Sequence, residues 1–381
     1  MLTVHKISSF SEFKNCRHDW EDLLSRSYAD NIFLTYEWIE ACISYFCRGK
    51  KLLVLEIFEG EKLVGIAPMM VCVKKSFGLA ARSVCFIGTD ASDRMDFIAD
   101  SGSNKEDIIR TALDYIIGIR DRWDVIDLQE IAEATQTIEI IKAYLKKMGF
   151  LNVLDPAKKS FFISMNGSKD VIFQEFSKKF YRKVKKINNK WPDVHFEFER
   201  HLGCSPEKMK SLFIDLKSIE GRSWQGEKNV GIFCRREGMS FHSMVFDTFS
   251  QNSLLDLSVL RLNKKPAAYI YNYFYNGRSY NYNIAFDKKY SNLSPGTVLM
   301  LWTIMDSAAK EVAEFDFARG EESWKNRLTQ DFKIHNRIRI FNDSFYSKCL
   351  YYLHGKAVPA IKSRKILYRF YTRVKRGLRW K

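Results

Sequence analysis

The chain of 381 residues has no Cys-x-x-Cys pair, no histidines spaced four apart and no long apolar run. Its eight cysteines are scattered, so reduced, mostly buried thiols in a cytoplasmic protein are the expectation. Seven histidines, of which His195 and His201 are the closest pair, offer no metal-ligand spacing and no Ser-His-Asp arrangement. The cleanest apolar run, Val298–Met305, falls far short of the ~20 residues a membrane helix needs. The start MLTVHKISSF lacks the apolar stretch of a secretory leader. A soluble or peripheral protein without a metal is therefore expected.

Acidic residues are missing from two stretches. Residues 178–190 carry seven Lys/Arg and residues 356–381 carry ten, with no Asp or Glu in either. The formal charge of +16 is thus concentrated there, and the rest of the chain is near neutral. A DNA binder would spread its charge over the body, so no DNA partner is expected. A hydrophobic content of 46% is globular, and the length favours two domains.

Short strands and capped helices alternate along the chain. Ser11 is read as opening a helix to about Ser25, and Thr35 as opening TYEWIEACISYF. Ser103-Asn104-Lys105-Glu106 reads as a capping box, and Ser205-Pro206-Glu207 as an N-cap followed by a first-turn proline. A helix from Ser168 carries the first basic stretch. Residues 51–130 give strand, turn, strand, further strands, capped helix, then a strand containing Asp124 and Asp127. Residues 254–318 repeat that order and end in Glu314-Phe315-Asp316-Phe317. Two copies of one mixed α/β unit are expected, over 1–160 and 161–345, with a basic tail over 346–381.

The second copy is the more telling. LLDLSVLRL and PAAYIYNYFY are β-branched and aromatic runs, and Asn276-Gly277 turns the second into RSYNYNIAF. Ser294-Pro295-Gly296-Thr297 then starts an apolar helix, leaving its positive end beside the preceding strand, where an anion would sit.

The signature YNYNIAFDKKYSNLSPGTVLMLWTIMDSAA…EFDFARGEESWK resembles the acyltransferase domain of cellulose and exopolysaccharide biosynthesis proteins of the CelD/BcsL-like type. These belong to the GNAT superfamily and are related to Fem-type aminoacyltransferases, which carry two GNAT-like halves. FYRKVKKINNK, IEGRSWQG and FLTYEWIEAC support the match, which covers about residues 30–335. The resemblance implies tandem GNAT-like domains, each a mixed, mainly antiparallel sheet flanked by helices. It implies acyl-CoA, acetyl-CoA in the first place, lying in a splay between Tyr280–Phe286 and Ala313–Phe317.

On that resemblance Ile284, Ala285, Ser294, Gly296 and Thr297 would hold the donor. Asp316, Lys325, Tyr290 and Asp287 would serve the chemistry. Arg182, Lys186, Glu220, Trp224 and Tyr282 would meet the acceptor, a sugar or glycan precursor. Pro295 departs from the usual loop, because it has no N–H to give a pyrophosphate. Another acyl-CoA, aminoacyl-tRNA, or a non-catalytic assembly role stay open. In the tail, Ile366, Phe370, Val374 and Leu378 recur every four residues among arginines, the pattern of a helix lying on an anionic membrane, here its inner face.

Overall fold

The computed structural model describes residues 1–76, 79–166, 169–203, 205–310 and 312–357. The chain forms two compact units, one of residues 1–158 with the described residues from 334 on, the other of residues 159–333. The expected tail helix and the expected helix start at Ser168 lie outside the described residues.

In the first unit, β1 (Leu2–Ile7), β2 (Lys51–Glu59), β3 (Lys62–Ser76) and β4 (Leu79–Phe86) pair antiparallel in that order. The short β5 (Ile98–Ala99) pairs with β3, and β6 (Val125–Ala132) runs parallel to β4 through Ser83↔Val125 and Val84↔Ile126. Residues His335–Phe341 pair antiparallel with β6, which groups them with the first unit although the sequence suggests a second half running to 345. The helices are α1 (Phe10–Asn15), α2 (Arg17–Ser25), α3 (Tyr36–Phe46), α4 (Lys105–Gly118) and α5 (Thr137–Met148), with a further helix over Phe345–Tyr352 whose Leu350 packs with Val125 and Phe341.

Two expected starts shift. Ser9 rather than Ser11 caps the first helix, accepting from Glu12 N, and the helix breaks at Cys16. Asn104 rather than Ser103 caps α4, its side chain accepting from both Glu106 N and Asp107 N. Thr35 caps α3 as expected.

After the short β7 (Asn152–Leu154) of the first unit come the strands of the second: β8 (Lys158–Ser164), β9 (Phe196–Leu202), β10 (Leu255–Leu262), β11 (Lys265–Tyr275), β12 (Arg278–Phe286) and β13 (Glu314–Arg319). 

The short β7 pairs with Ile338–Ile340 and so belongs to the first unit; the sheet of the second begins at β8. Its strand order is β8-β13-β12-β11-β10-β9, antiparallel throughout except that β12 and β13 are parallel. The helices are α6 (Lys169–Asn188), α7 (Pro206–Gly221), α8 (Trp224–Glu227), α9 (Arg236–Gln251) and α10 (Pro295–Ala309). Ser205 caps α7 by accepting from Lys208 N, with proline following as expected. Asn276 and Gly277 both take positive φ, 48° and 71°, which is what a two-residue hairpin turn with the right twist requires.

Both units therefore have the expected fold, a mixed α/β layer whose sheet is mostly antiparallel and flanked by helices. In each, three antiparallel strands lead to a helix and then to a strand parallel to the third. The repeat extends to a backbone irregularity. The pairing of β6 slips between Leu128 and Ile131, and that of β13 between Asp316 and Arg319. One residue inside each slip is left-handed without being glycine: Glu130 at φ 60° and Ala318 at φ 54°. Such a bulge bends the last strand away from its parallel neighbour.

Alternation along β11 sorts the second unit's core. Ala268 and Ile270 face α6 and α10 in an aliphatic and aromatic cluster with Phe315, Phe317 and Leu299. Tyr269, Tyr271 and Tyr273, all fully buried, fill the opposite face. On the edge strand, Arg200 is buried against Asp256 at 2.7 Å and Asp306 at 2.9 Å, which ties β9 to β10 and α10.

Candidate active site

The β12–β13 pairing is short. It runs from Arg278↔Glu314 to Tyr280↔Asp316, while β12 continues to Phe286 and β13 to Arg319. Beyond Tyr280 the two strands diverge. Asp287 N donates to Ala267 O at 2.8 Å, so alternate residues of β12 bond to β11, and the N–H and C=O of Ile284 and Phe286 point into the divergence. Tyr282 is the extra residue in the β11–β12 register, where Tyr271 pairs with Asn283 and Asn272 with Asn281. Its ring packs against His242 and Tyr273, with centroids 5.4 and 5.0 Å away. Burial holds the His242 imidazole down at about 3, so it is neutral.

The start of α10 differs from the expectation in one respect. Ser294 occupies the N-cap position at φ 50°, but its side chain does not cap the helix. Its carbonyl takes the Thr297 and Val298 amides, and its hydroxyl receives Lys183 Nζ at 3.3 Å. Pro295 has no amide proton, and the Gly296 amide has no hydrogen-bond partner among the described residues. A Cβ on Gly296 would come within 3.2 Å of the Phe286 ring, so the glycine lets α10 sit close to the end of β12. Lys183 lies on α6 and is half-buried, whereas Arg182, Lys186 and Thr297 are exposed. Lys183 is the member of the basic stretch that reaches the helix start. The charge run announces that stretch, but only the packing of α6 on α10 singles out this lysine.

Asp316 is fully buried at the point of divergence. Its Oδ1 accepts from Ala318 N at 2.8 Å and lies 3.4 Å from Ser160 Oγ, and its Oδ2 is 3.9 Å from Lys333 Nζ. Lys325 is buried as well. Its ammonium donates to Arg319 O at 2.9 Å and Gly320 O at 3.3 Å and pairs with Glu322 at 2.9 Å, so it closes the loop that follows β13. Asp287 receives Arg222 Nε at 2.6 Å and Lys289 N at 2.9 Å, fastening the end of β12 to the end of α7. Tyr290, half-buried, packs against the α10 cluster.

Glu220 is buried at the end of α7. Burial raises its carboxyl, against the Phe233 and Ile232 amides and the Tyr269 hydroxyl, which bond to it at 2.8, 3.1 and 3.1 Å. Gly231 is needed there, because a Cβ would meet Glu220 Oε1 at 2.3 Å. Tyr269 passes the network on to Asn283 Oδ1 at 2.8 Å. Trp224 is 46% exposed.

Its neighbour Gln225 carries no charge and was not singled out by sequence, yet it enters the divergence. Gln225 Nε2 donates to Ile284 O at 3.3 Å, while its Oε1 is buried with no partner among the described residues. Arg222–Asp287, Lys288 N to Arg222 O at 3.1 Å and Lys288–Glu227 at 2.5 Å hold α8 in place.

The equivalent place in the first unit is closed. Residues 87–104 link β4 to α4, more than twice the length of the 287–294 link between β12 and α10. This longer link folds back: Met95 N donates to Glu130 O at 3.0 Å, and from Ile87 to Ala99 only Asp90 is exposed. In the second unit the amides of the short link go to Ala267, Arg222, Asp287 and Ser291 instead. No group of three or more His, Cys, Asp or Glu is placed to hold a metal among the described residues, and no helix there is long and apolar enough to cross a membrane.

Residues 174–326 match the family described as Acetyltransferase (GNAT) domain. Curated protein sequences give no match. Among solved structures, the chain is similar to FemX at 12% identity and a TM-score of 0.56, with 90% of this chain and 99% of that one covered. It is also similar to the C-terminal DUF2156 domain of a putative lysylphosphatidylglycerol synthetase from Agrobacterium fabrum, at 10% identity, 89% and 95% coverage and a TM-score of 0.53. A conserved protein of unknown function from Bacteroides thetaiotaomicron gives 10% identity, 90% and 100% coverage and a TM-score of 0.51. At such identities the likeness is one of fold. The family match falls on the unit whose strands diverge, and the chain carries an acyltransferase domain of the GNAT type.

Proposed function

We propose that the protein transfers an acyl group from acyl-CoA to an amine or hydroxyl of a sugar or glycan precursor used in building the cell envelope. The observation that carries this reading is the unpaired edge of β12 beyond Tyr280, ending beside the start of α10. Ile284 and Phe286 offer amides and carbonyls to the donor's pantetheine arm. The Gly296 amide and Lys183 replace the donor lost at Pro295 and meet its pyrophosphate. The thioester supplies an activated acyl group to the acceptor.

Asp316, at the point of divergence, orients the acceptor and draws off its proton. A tyrosine, Tyr282 or Tyr290, returns a proton to the leaving thiolate. Lys325 positions the loop after β13, and Asp287 fixes the end of β12. The exposed Arg182 and Lys186, with Trp224, suit an acceptor carrying phosphate. The tail would hold the enzyme on an anionic membrane, close to a lipid-linked acceptor.

A second reading takes aminoacyl-tRNA as donor, favoured by the exposed basic face of α6 and the likeness to FemX. Calorimetric titration with acetyl-CoA, longer acyl-CoAs and charged tRNA separates the two. Binding of an acyl-CoA below millimolar is expected. Binding of charged tRNA alone would replace the first reading by the second.

A further inference from the structure

The first unit contains a half-open cleft that the proposed chemistry does not use. It has a volume of about 1220 Å³ and is bounded by β2, β3, the ends of α3 and α4 and the turn before β2. Pockets for drug-sized ligands run to roughly 300–1,000 Å³, so this one has room for a head group and a chain.

Its floor is apolar, formed by Ile43, Leu53, Val71 and Ile119 with the Cys47 and Cys72 side chains. Its rim is cationic: Lys6, Arg48, Lys50, Lys51, Arg82 and Arg122, against one acid, Asp121. Two of these cations are engaged, Arg82 by Asp124 at 2.7 Å and Arg122 by Asp121 at 4.0 Å. The other four make no ion pair among the described residues, although Lys6 and Lys50 are only partly exposed. By contrast, Lys74 on β3 pairs with Asp127 at 2.8 Å and Lys158 with Glu130 at 2.6 Å. Four unpaired cations around an apolar floor suit an anionic head group carrying an apolar part.

We propose that this cleft binds a small anionic amphiphile, a phosphate monoester carrying an apolar group, with the phosphate among Lys6, Arg48, Lys50 and Lys51 and the apolar part on Leu53 and Val71. Lipid monophosphates and apolar-substituted sugar phosphates share that chemistry. Cys72 gives an internal reporter. Its thiol lines the floor, 3.5 Å from Cys85 Sγ, and a ligand there shields it, whereas Cys349 is exposed and lies elsewhere.

The test titrates the full chain with dodecyl phosphate below its micelle concentration, with inorganic phosphate, and with dodecyltrimethylammonium. Alkylation of Cys72 and Cys349 is followed by mass spectrometry in the same samples. Dodecyl phosphate should bind one to one, at least tenfold tighter than either comparison compound, and slow Cys72 alkylation at least fivefold without changing Cys349. Arg48→Glu with Lys50→Glu should weaken it tenfold or more, Arg48→Lys with Lys50→Arg should keep it, and Arg182→Glu with Lys186→Glu on α6 should leave it unchanged. All these side chains are wholly or partly exposed, so the fold tolerates the changes. Equal binding of the cationic amphiphile would reduce the site to a greasy cleft, and equal binding of inorganic phosphate to a bare anion site. Either result overturns the proposal, as does unchanged binding by Arg48→Glu with Lys50→Glu.

Discussion

The two units carry the same bulged strand after the same helix, yet one divergence is filled and the other open. In the first, Met95 donates to the carbonyl of the left-handed Glu130, Asn104 caps two amides of α4, and residues 91–100 of the link are buried. In the second, the link is short, Ser294 gives its side chain to Lys183 rather than to α10, and Gln225 reaches the Ile284 carbonyl. A bulge costs pairing wherever it occurs. The first unit recovers that loss with its own backbone. The second leaves the polar backbone of Ile284 and Phe286 facing the divergence, so on the proposed reading only the second copy binds the acyl donor there.

The sharpest way to break this contrast is at Asp316. Asp316→Asn keeps size and the Ala318 bond, and kcat should fall about 100-fold, within the usual range for loss of a general base. Full activity would remove Asp316 from the chemistry. Next comes Lys183→Glu, which should weaken donor binding about tenfold or more, the worth of one charge-assisted contact and then repulsion. The same change at Lys186 should do much less, because that side chain does not reach Ser294.

The filled unit should respond in stability instead. Asp96 is buried, accepts from Thr137 Oγ1 at 2.8 Å and from Phe97 N at 2.8 Å, and pins the link that closes the divergence. Asp96→Ala should cost about 1–3 kcal/mol by urea unfolding, with donor affinity unchanged. A loss of donor affinity would show that the first unit takes part. A smaller effect is expected from Gln225→Ala: donor affinity should rise about two- to fivefold, since the donor no longer displaces a hydrogen bond of about 0.5–1 kcal/mol. Weaker binding would make Gln225 a donor contact.

The pH dependence of the first unit sharpens the comparison further. Burial alone would raise the Asp100 carboxyl, but Lys62 at 2.7 Å, the Gly102 amide and Arg26 bring it down to about 2. A depressed carboxylate adds stability above its unfolded value near 3.8 and loses it as pH falls toward 2. Thermal melting of Asp100→Asn should therefore depend less on pH between about 4 and 2 than that of the wild type. An equally steep dependence would place the acid lability elsewhere.

Much of this architecture was legible because its signals are local. Asn276-Gly277 needs positive φ at both positions, and Thr35 and Ser205 cap helices whatever lies around them. The repeat of element order was legible for the same reason. The features that distinguish the two copies were not. Nothing in Glu130 or Ala318 announces a left-handed residue, since neither is glycine or asparagine. Met95 closes its divergence through a partner 35 positions away, and Gln225 bonds across 59. Lys183 was visible within a charged run, but its selection over Arg182 and Lys186 comes from helix packing. Long-range pairing decided these points, and one-dimensional periodicity does not carry it.

Amide hydrogen exchange with and without acetyl-CoA tests the central claim most directly. The account predicts slower exchange across Asn281–Phe286 and at Gly296, with residues 87–97 of the first unit unchanged. Protection confined to residues 87–97, or none at saturating acetyl-CoA, would contradict it.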